Sequence, residues 1–130
     1  MKRNLSISKG FKFEASHQLP NYVGKCANLH GHTYTLQVTV GADPSLVPLD
    51  KSGILIDFGT LKRIVNEEII EKYDHRHLND FFPMPSAEVM VLLFAAAISK
   101  RLLEHDAALR LEKVRLYEGA GDNYAEVTYV

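Results

Sequence analysis

The sequence predicts an α+β domain of order β-β-α-α-β-β, a four-stranded antiparallel sheet with two helices on one face. Three observations predict it. Apolar and polar residues alternate with period 2 near both ends of the chain, and two segments between them follow period 3.6. The turn-rich stretches, Pro20–Lys25, Gly41–Gly53 and Phe82–Pro85, are short enough to be loops. With no internal repeat or linker, the 130 residues are expected to form a single domain, 1–130.

Each element has its own signal. Over residues 5–17, Ile7, Phe11, Phe13, Ala15 and His17 share one parity, and Ser6, Ser8, Lys12, Glu14 and Ser16 take the other. Residues 30–40 alternate more strictly, with His32, Tyr34, Leu36, Val38 and Val40 on one face and threonines and Gln37 on the other. A loop of about a dozen residues joins the two strands and suits an antiparallel pair. Residues 58–72 read as a helix capped by Asp57, with Leu61, Ile64, Val65, Glu68 and Ile69 in helical phase. Residues 87–105 form a second helix capped by Ser86. It is apolar nearly all round through Val89–Ile98, which points to burial on more than one side and hence in an oligomer. Residues 111–118 and 124–130 complete the sheet around the turn Gly119–Asn123.

Composition narrows the function. Fifteen Lys and Arg against sixteen Asp and Glu leave a net charge of −1. That balance argues against a nucleic acid as main partner and leaves room for a small anionic substrate. The longest apolar run has ten residues, against about 20 for a membrane span. The N-terminus lacks the apolar core of a signal peptide. One cysteine, Cys26, cannot form an internal disulfide, so a reducing, cytoplasmic setting is expected.

Histidines carry the chemical signal: five of the six fall between His17 and His77. His30 and His32 flank Gly31 on a strand, so their side chains point the same way, about 7 Å apart along the chain. His17 ends the preceding strand on its apolar parity. If the strands pair there, three imidazoles converge, the donor set of a catalytic zinc with one open position; copper and nickel also accept imidazole. Gly31 allows close approach of backbone or ligand. Cys26 is a fourth ligand, a base or nucleophile beside the metal, or inert packing. Asp74-His75 is a carboxylate–imidazole pair suited to proton transfer, or a solvated helix end. Glu118 sits on an apolar parity and needs a partner, either a cation or a planar ligand edge with two N–H donors. Glu88 complements the positive end of its helix.

Taken together, Phe13-Glu14-Ala15-Ser16-His17, Cys26-Ala27-Asn28-Leu29-His30-Gly31-His32, Ile56-Asp57-Phe58, Asp74-His75-Arg76-His77-Leu78-Asn79, Pro85-Ser86-Ala87-Glu88 and Glu118 resemble the 6-pyruvoyl-tetrahydropterin synthase / 6-carboxy-tetrahydropterin synthase family. The resemblance runs from about Phe11 to Glu118. It implies the tunnelling fold (T-fold), with sheets of three subunits joined into a barrel and two trimers stacked as a homo-hexamer with intersubunit sites. It implies Zn2+ on His17, His30 and His32, proton transfer by Cys26, Asp74 and His75, and a pterin substrate anchored by Glu118 with Ser86 and Glu88 nearby. The three-residue gap between Cys26 and His30-Gly31-His32 is similar to the bacterial carboxy-forming enzymes of queuosine biosynthesis. Those are zinc-dependent lyases that convert 7,8-dihydroneopterin triphosphate to 6-carboxy-5,6,7,8-tetrahydropterin, triphosphate and acetaldehyde. The pyruvoyl-forming synthase, a dihydroneopterin retro-aldol enzyme and a weakly active pterin binder with structural zinc are the alternatives. Two positions depart from the family pattern: Ala87 and Gly119 stand where hydroxyl side chains are usual.

Overall fold

A computed structural model describes residues 2–21, 23–24 and 27–129. Cys26 lies outside the described residues. Strand β1 (Leu5–His17) pairs antiparallel with β2 (His30–Ala42) over their whole length, which brings His17 opposite His30 and Ala15 opposite His32. The predicted alternation is realised: Phe11, Phe13, Ala15 and His17 of β1 and Tyr34, Leu36, Val38 and Val40 of β2 are buried on one face. On the other, Ser8 and Thr39 join hydroxyls across the strands at 2.6 Å.

A 3-10 turn (Pro44–Leu46) and the one-turn helix α1 (Leu49–Ser52) follow. Gly53 closes α1 at φ +71°, the left-handed cap that glycine adopts without a Cβ penalty. Asp57 caps α2 (Phe58–Val65) by accepting from the Gly59 N–H. The helix then continues through a π turn (Asn66–Ile70) into α3 (Glu71–Tyr73). Leu61, Ile64, Val65 and Ile69 are buried as their phase predicts. Glu68 leaves that apolar set, because the wide turn sets Glu67 and Glu68 against Arg101 at 3.0 and 2.7 Å.

Residues Arg76–His77 form β3, a fifth strand that runs parallel to β1 at Ala15 and Ser16. Two residues carry no readable periodicity, so the sequence predicts four strands where the sheet has five. A 3-10 turn (Leu78–Asp80) leads to α4 (Ala87–His105), whose N-cap Ser86 accepts from the Val89 N–H at 3.2 Å. One side of α4 (Met90, Phe94, Ala95, Ile98 and Leu102) is buried against the sheet, each large side chain contributing roughly 1.5–3 kcal/mol. Leu92, Leu93 and Leu103 face outward, 50–59% exposed.

The sheet closes with β4 (Arg110–Glu118) and β5 (Asn123–Thr128), in the order β3-β1-β2-β4-β5. A bulge opposite Thr39 and Val40 absorbs one residue of β4 and keeps both Leu111 and Val114 on the core face. Among the described residues, no helix is long and apolar enough to cross a membrane.

Candidate metal centre

The full-length β1–β2 register brings His17, His30 and His32 to one end of the sheet. One ligand atom from each lies within 4.8 Å of the others. His17 is 1% exposed, and the other two are half-buried. The Nδ1 of His17 stands 2.7 Å from the Pro85 carbonyl oxygen, and that of His30 stands 2.6 Å from the Asn28 carbonyl oxygen. A carbonyl oxygen only accepts, so both Nδ1 atoms carry the proton and donate. Both Nε2 atoms are then left with lone pairs when the rings are neutral, and they face each other at 3.0 Å. Facing lone pairs repel unless a cation lies between them. Tetrahedral bonds of 2.0–2.1 Å would space ligand nitrogens by about 3.3 Å, close to this separation. The third ring agrees: His32 Nε2 is buried and has no hydrogen-bond partner among the described residues. The donor set therefore fits a metal ion, and the two carbonyls are the outer contacts that orient metal-binding imidazoles.

Charge at the site is consistent with neutral ligands. Burial holds the His32 imidazole below the usual histidine range, against the pull of Glu118 in the other direction. Glu118 Oε2 is 3.9 Å from His32 Nε2, beyond a direct hydrogen bond. Tyr34, the next core-facing residue of β2 after His32, extends its hydroxyl to 3.3 Å from His17 Nδ1. Burial, and then Glu118, push its phenol pKa well up, so it stays protonated. Nothing in the alternation marked Tyr34 as more than core, although its parity placed it beside the triad.

Several grooves lie around this end of the sheet. One, of about 660 Å³, is lined by His32, Gly31, Ser16, His75, Arg76 and His77. A Cβ on Gly31 would make ordinary contact with the Ala15 carbonyl at 3.5 Å, so packing alone does not demand glycine there; its absence of a side chain keeps the groove floor open. Asp74 Oδ1 lies 3.0 Å from His75 Nδ1 and also accepts from the Glu14 N–H at 2.9 Å. The Glu14 N–H, and after it His75, hold the Asp74 carboxyl below the usual carboxylate range. His75 has φ +59°, a left-handed backbone rarely adopted by non-glycine residues. Its own N–H donates to the Glu14 carbonyl at 2.6 Å, which secures that conformation and leaves the ring 79% exposed. Asn79 completes the clamp by exchanging two hydrogen bonds with the Gln18 backbone at 2.9 and 2.7 Å. Ser16 and His77 add a third link, Oγ to Nδ1 at 3.0 Å.

A second groove, about 500 Å³, lies between α4 and β5 and is lined by Ala87, Glu88, Val91, Glu118, Asn123 and neighbouring residues. Glu118 thus stands between this groove and the triad. Glu88 lines it too, whereas Ser86 is engaged as the helix cap and lies outside the lining. Among the sequence-predicted site residues, the three histidines, Glu118, Asp74 and His75 therefore gather around one end of the sheet.

The chain is similar to known proteins over nearly its whole length. The family model described as 6-pyruvoyl tetrahydropterin synthase matches residues 6–129. A 6-carboxy-5,6,7,8-tetrahydropterin synthase of Haemophilus influenzae is 36% identical over 86% of this chain and 91% of its own. One from Aquifex aeolicus is 30% identical over 88% and 92%. Among solved structures, the 6-pyruvoyl tetrahydropterin synthase of Caenorhabditis elegans superposes with a TM-score of 0.79 at 22% identity, covering 99% of this chain and 98% of its own, which supports a shared fold.

Proposed function

Because the chain belongs to the 6-pyruvoyl tetrahydropterin synthase family, we propose that it is a 6-carboxy-5,6,7,8-tetrahydropterin synthase. In this reading it converts 7,8-dihydroneopterin triphosphate to 6-carboxy-5,6,7,8-tetrahydropterin with release of triphosphate and acetaldehyde. The observation that carries the proposal is the set of three imidazoles whose lone pairs converge beside a carboxylate that accepts no hydrogen bond among the described residues. His17, His30 and His32 would hold zinc. When bound, zinc supplies Lewis acidity toward the hydroxyls of the substrate side chain.

The chain's own residues supply the rest. Glu118 accepts two N–H bonds from the pyrimidine edge of the pterin and thereby fixes the side chain over the histidines. Asp74 accepts from His75 Nδ1–H, which leaves His75 Nε2 to take and return a proton at the groove wall. Cys26, four residues before His30, acts as a thiolate base on the substrate side chain. Ser86 holds the start of α4, and Glu88 borders the ring pocket. The apolar outer side of α4, with Leu92, Leu93 and Leu103 exposed, supports assembly into a homo-hexamer with sites between subunits.

Incubation of the zinc-loaded protein with 7,8-dihydroneopterin triphosphate, followed by mass spectrometry, tests the proposal. Acetaldehyde and the 6-carboxy product are expected. A 6-pyruvoyl product, glycolaldehyde, or pterin binding without turnover would overturn it in favour of the pyruvoyl synthase, a retro-aldol enzyme or a binding protein.

A further inference from the structure

We propose that Asn123 is a specificity residue of the pterin pocket. Its side-chain amide donates to the carbonyl oxygen at ring position 4, beside the edge held by Glu118. This assignment rests on the pterin reading of the site and deepens it.

The placement comes from the sheet. Glu118 and Asn123 are direct partners in the β4–β5 pairing. Directly opposed residues point to the same face, with Cβ atoms about 4.5–5.5 Å apart. That face is the one shared by Leu116 with Ala125 and Val114 with Val127, so both side chains turn toward α4 and its groove. The Asn123 amide takes part in none of the hydrogen bonds among the described residues that fix this hairpin.

The donor and acceptor balance of the groove decides what Asn123 is for. Glu118 and Glu88 offer only acceptors. Glu126, on the opposite parity of β5, is already bound to Arg115. Tyr124 shares that opposite parity and packs on Tyr117, ring centroids 4.9 Å apart, under the Arg115 guanidinium. Val91, Leu92 and Val127 provide apolar walls. Asn123 therefore carries the one side-chain N–H donor among the residues lining the groove. A 2-amino-4-oxopyrimidine edge presents an amino group and a ring N–H, and then a carbonyl oxygen. A carboxylate satisfies the two donors but repels the oxygen. An amide one strand away can turn its NH2 to the oxygen, a bond that a carboxylate at that position could not make.

The test is calorimetric titration of the zinc-loaded protein with neopterin and with its 4-amino counterpart bearing the same side chain. Wild-type protein is expected to prefer neopterin. Asn123→Ala should weaken neopterin binding roughly three- to tenfold, the span of one ordinary hydrogen bond. Asn123→Asp exchanges the amide for an acceptor of the same shape. It should shift the ratio of neopterin to 4-amino affinity at least tenfold toward the 4-amino compound. That ratio is read within one protein preparation, so a general loss of stability does not move it. A ratio unchanged from wild type in both variants overturns the role of Asn123 and leaves the pterin reading standing. Wild-type protein that binds neither compound overturns both.

Discussion

Replacing Glu118 with Gln tests the substrate pocket without disturbing its shape. The carboxylate is partly exposed, its Oε2 lies 3.9 Å from His32 Nε2, and neither oxygen accepts a hydrogen bond among the described residues. Both oxygens are therefore free for a ligand. The substitution turns one acceptor into an –NH2 facing the ligand's own N–H and removes the charge from the remaining bond. A hydrogen bond to a charged group contributes about 1.5–3 kcal/mol, so pterin affinity should fall roughly 10- to 150-fold, at about 1.4 kcal/mol per decade. Titration of zinc-loaded wild type and Glu118→Gln with neopterin measures the loss. Zinc content by elemental analysis should be equal in the two, because the imidazoles make no hydrogen bond to this carboxylate. Affinities within twofold of each other would refute the placement of the pterin edge at Glu118.

Three further outcomes are expected. Cys26→Ala should abolish turnover while zinc stays at one equivalent per chain; loss of zinc in that variant would make Cys26 a ligand and remove it as the base. Ser86→Ala deletes the cap of α4 at a cost of about 1 kcal/mol, which lowers Tm by about 4 °C in a chain of 130 residues, as calorimetry would record. Asp74 is held ionised in the folded protein by the Glu14 N–H and His75. Its depressed pKa contributes stability that is present above the ordinary carboxylate value of about 3.9 and is lost as pH falls through the folded value. The Tm difference between wild type and Asp74→Asn should therefore narrow below about pH 4, and a difference independent of pH would show that the charge on Asp74 does not matter.

Much of this architecture was legible in the sequence for a simple physical reason. A strand with one wet face must alternate, and the alternation of Phe11, Phe13, Ala15 and His17 with that of His32, Tyr34, Leu36 and Val38 predicts both the sheet and the meeting of the imidazoles. The caps Asp57 and Ser86 were legible because their side chains act locally. Features set by contacts distant in sequence were not. Strand β3 exists because Glu14, Ser16 and Gln18 bind residues about 60 positions away. The carbonyl of Pro85 that orients His17 leaves no mark on residue choice, since any residue offers a carbonyl. Asn123 read as part of a turn, because its pairing with Glu118 depends on where β5 begins. The π turn at Asn66–Ile70 hid in the same way: helical phase placed Glu68 with the apolar residues, and the wide turn redirected it to Arg101.

The bond from His17 to Pro85 reaches beyond the imidazole it steadies. Pro85 immediately precedes the Ser86 cap, so the deepest of the three nitrogen donors and the first turn of the longest helix share one anchor. The connection from Leu78 to Pro85 is thereby a strut rather than slack. Lengthening or shortening it by a residue would swing the ring off its axis, and a grafted or permuted version of this protein would have to carry that segment intact to keep its grip on a cation.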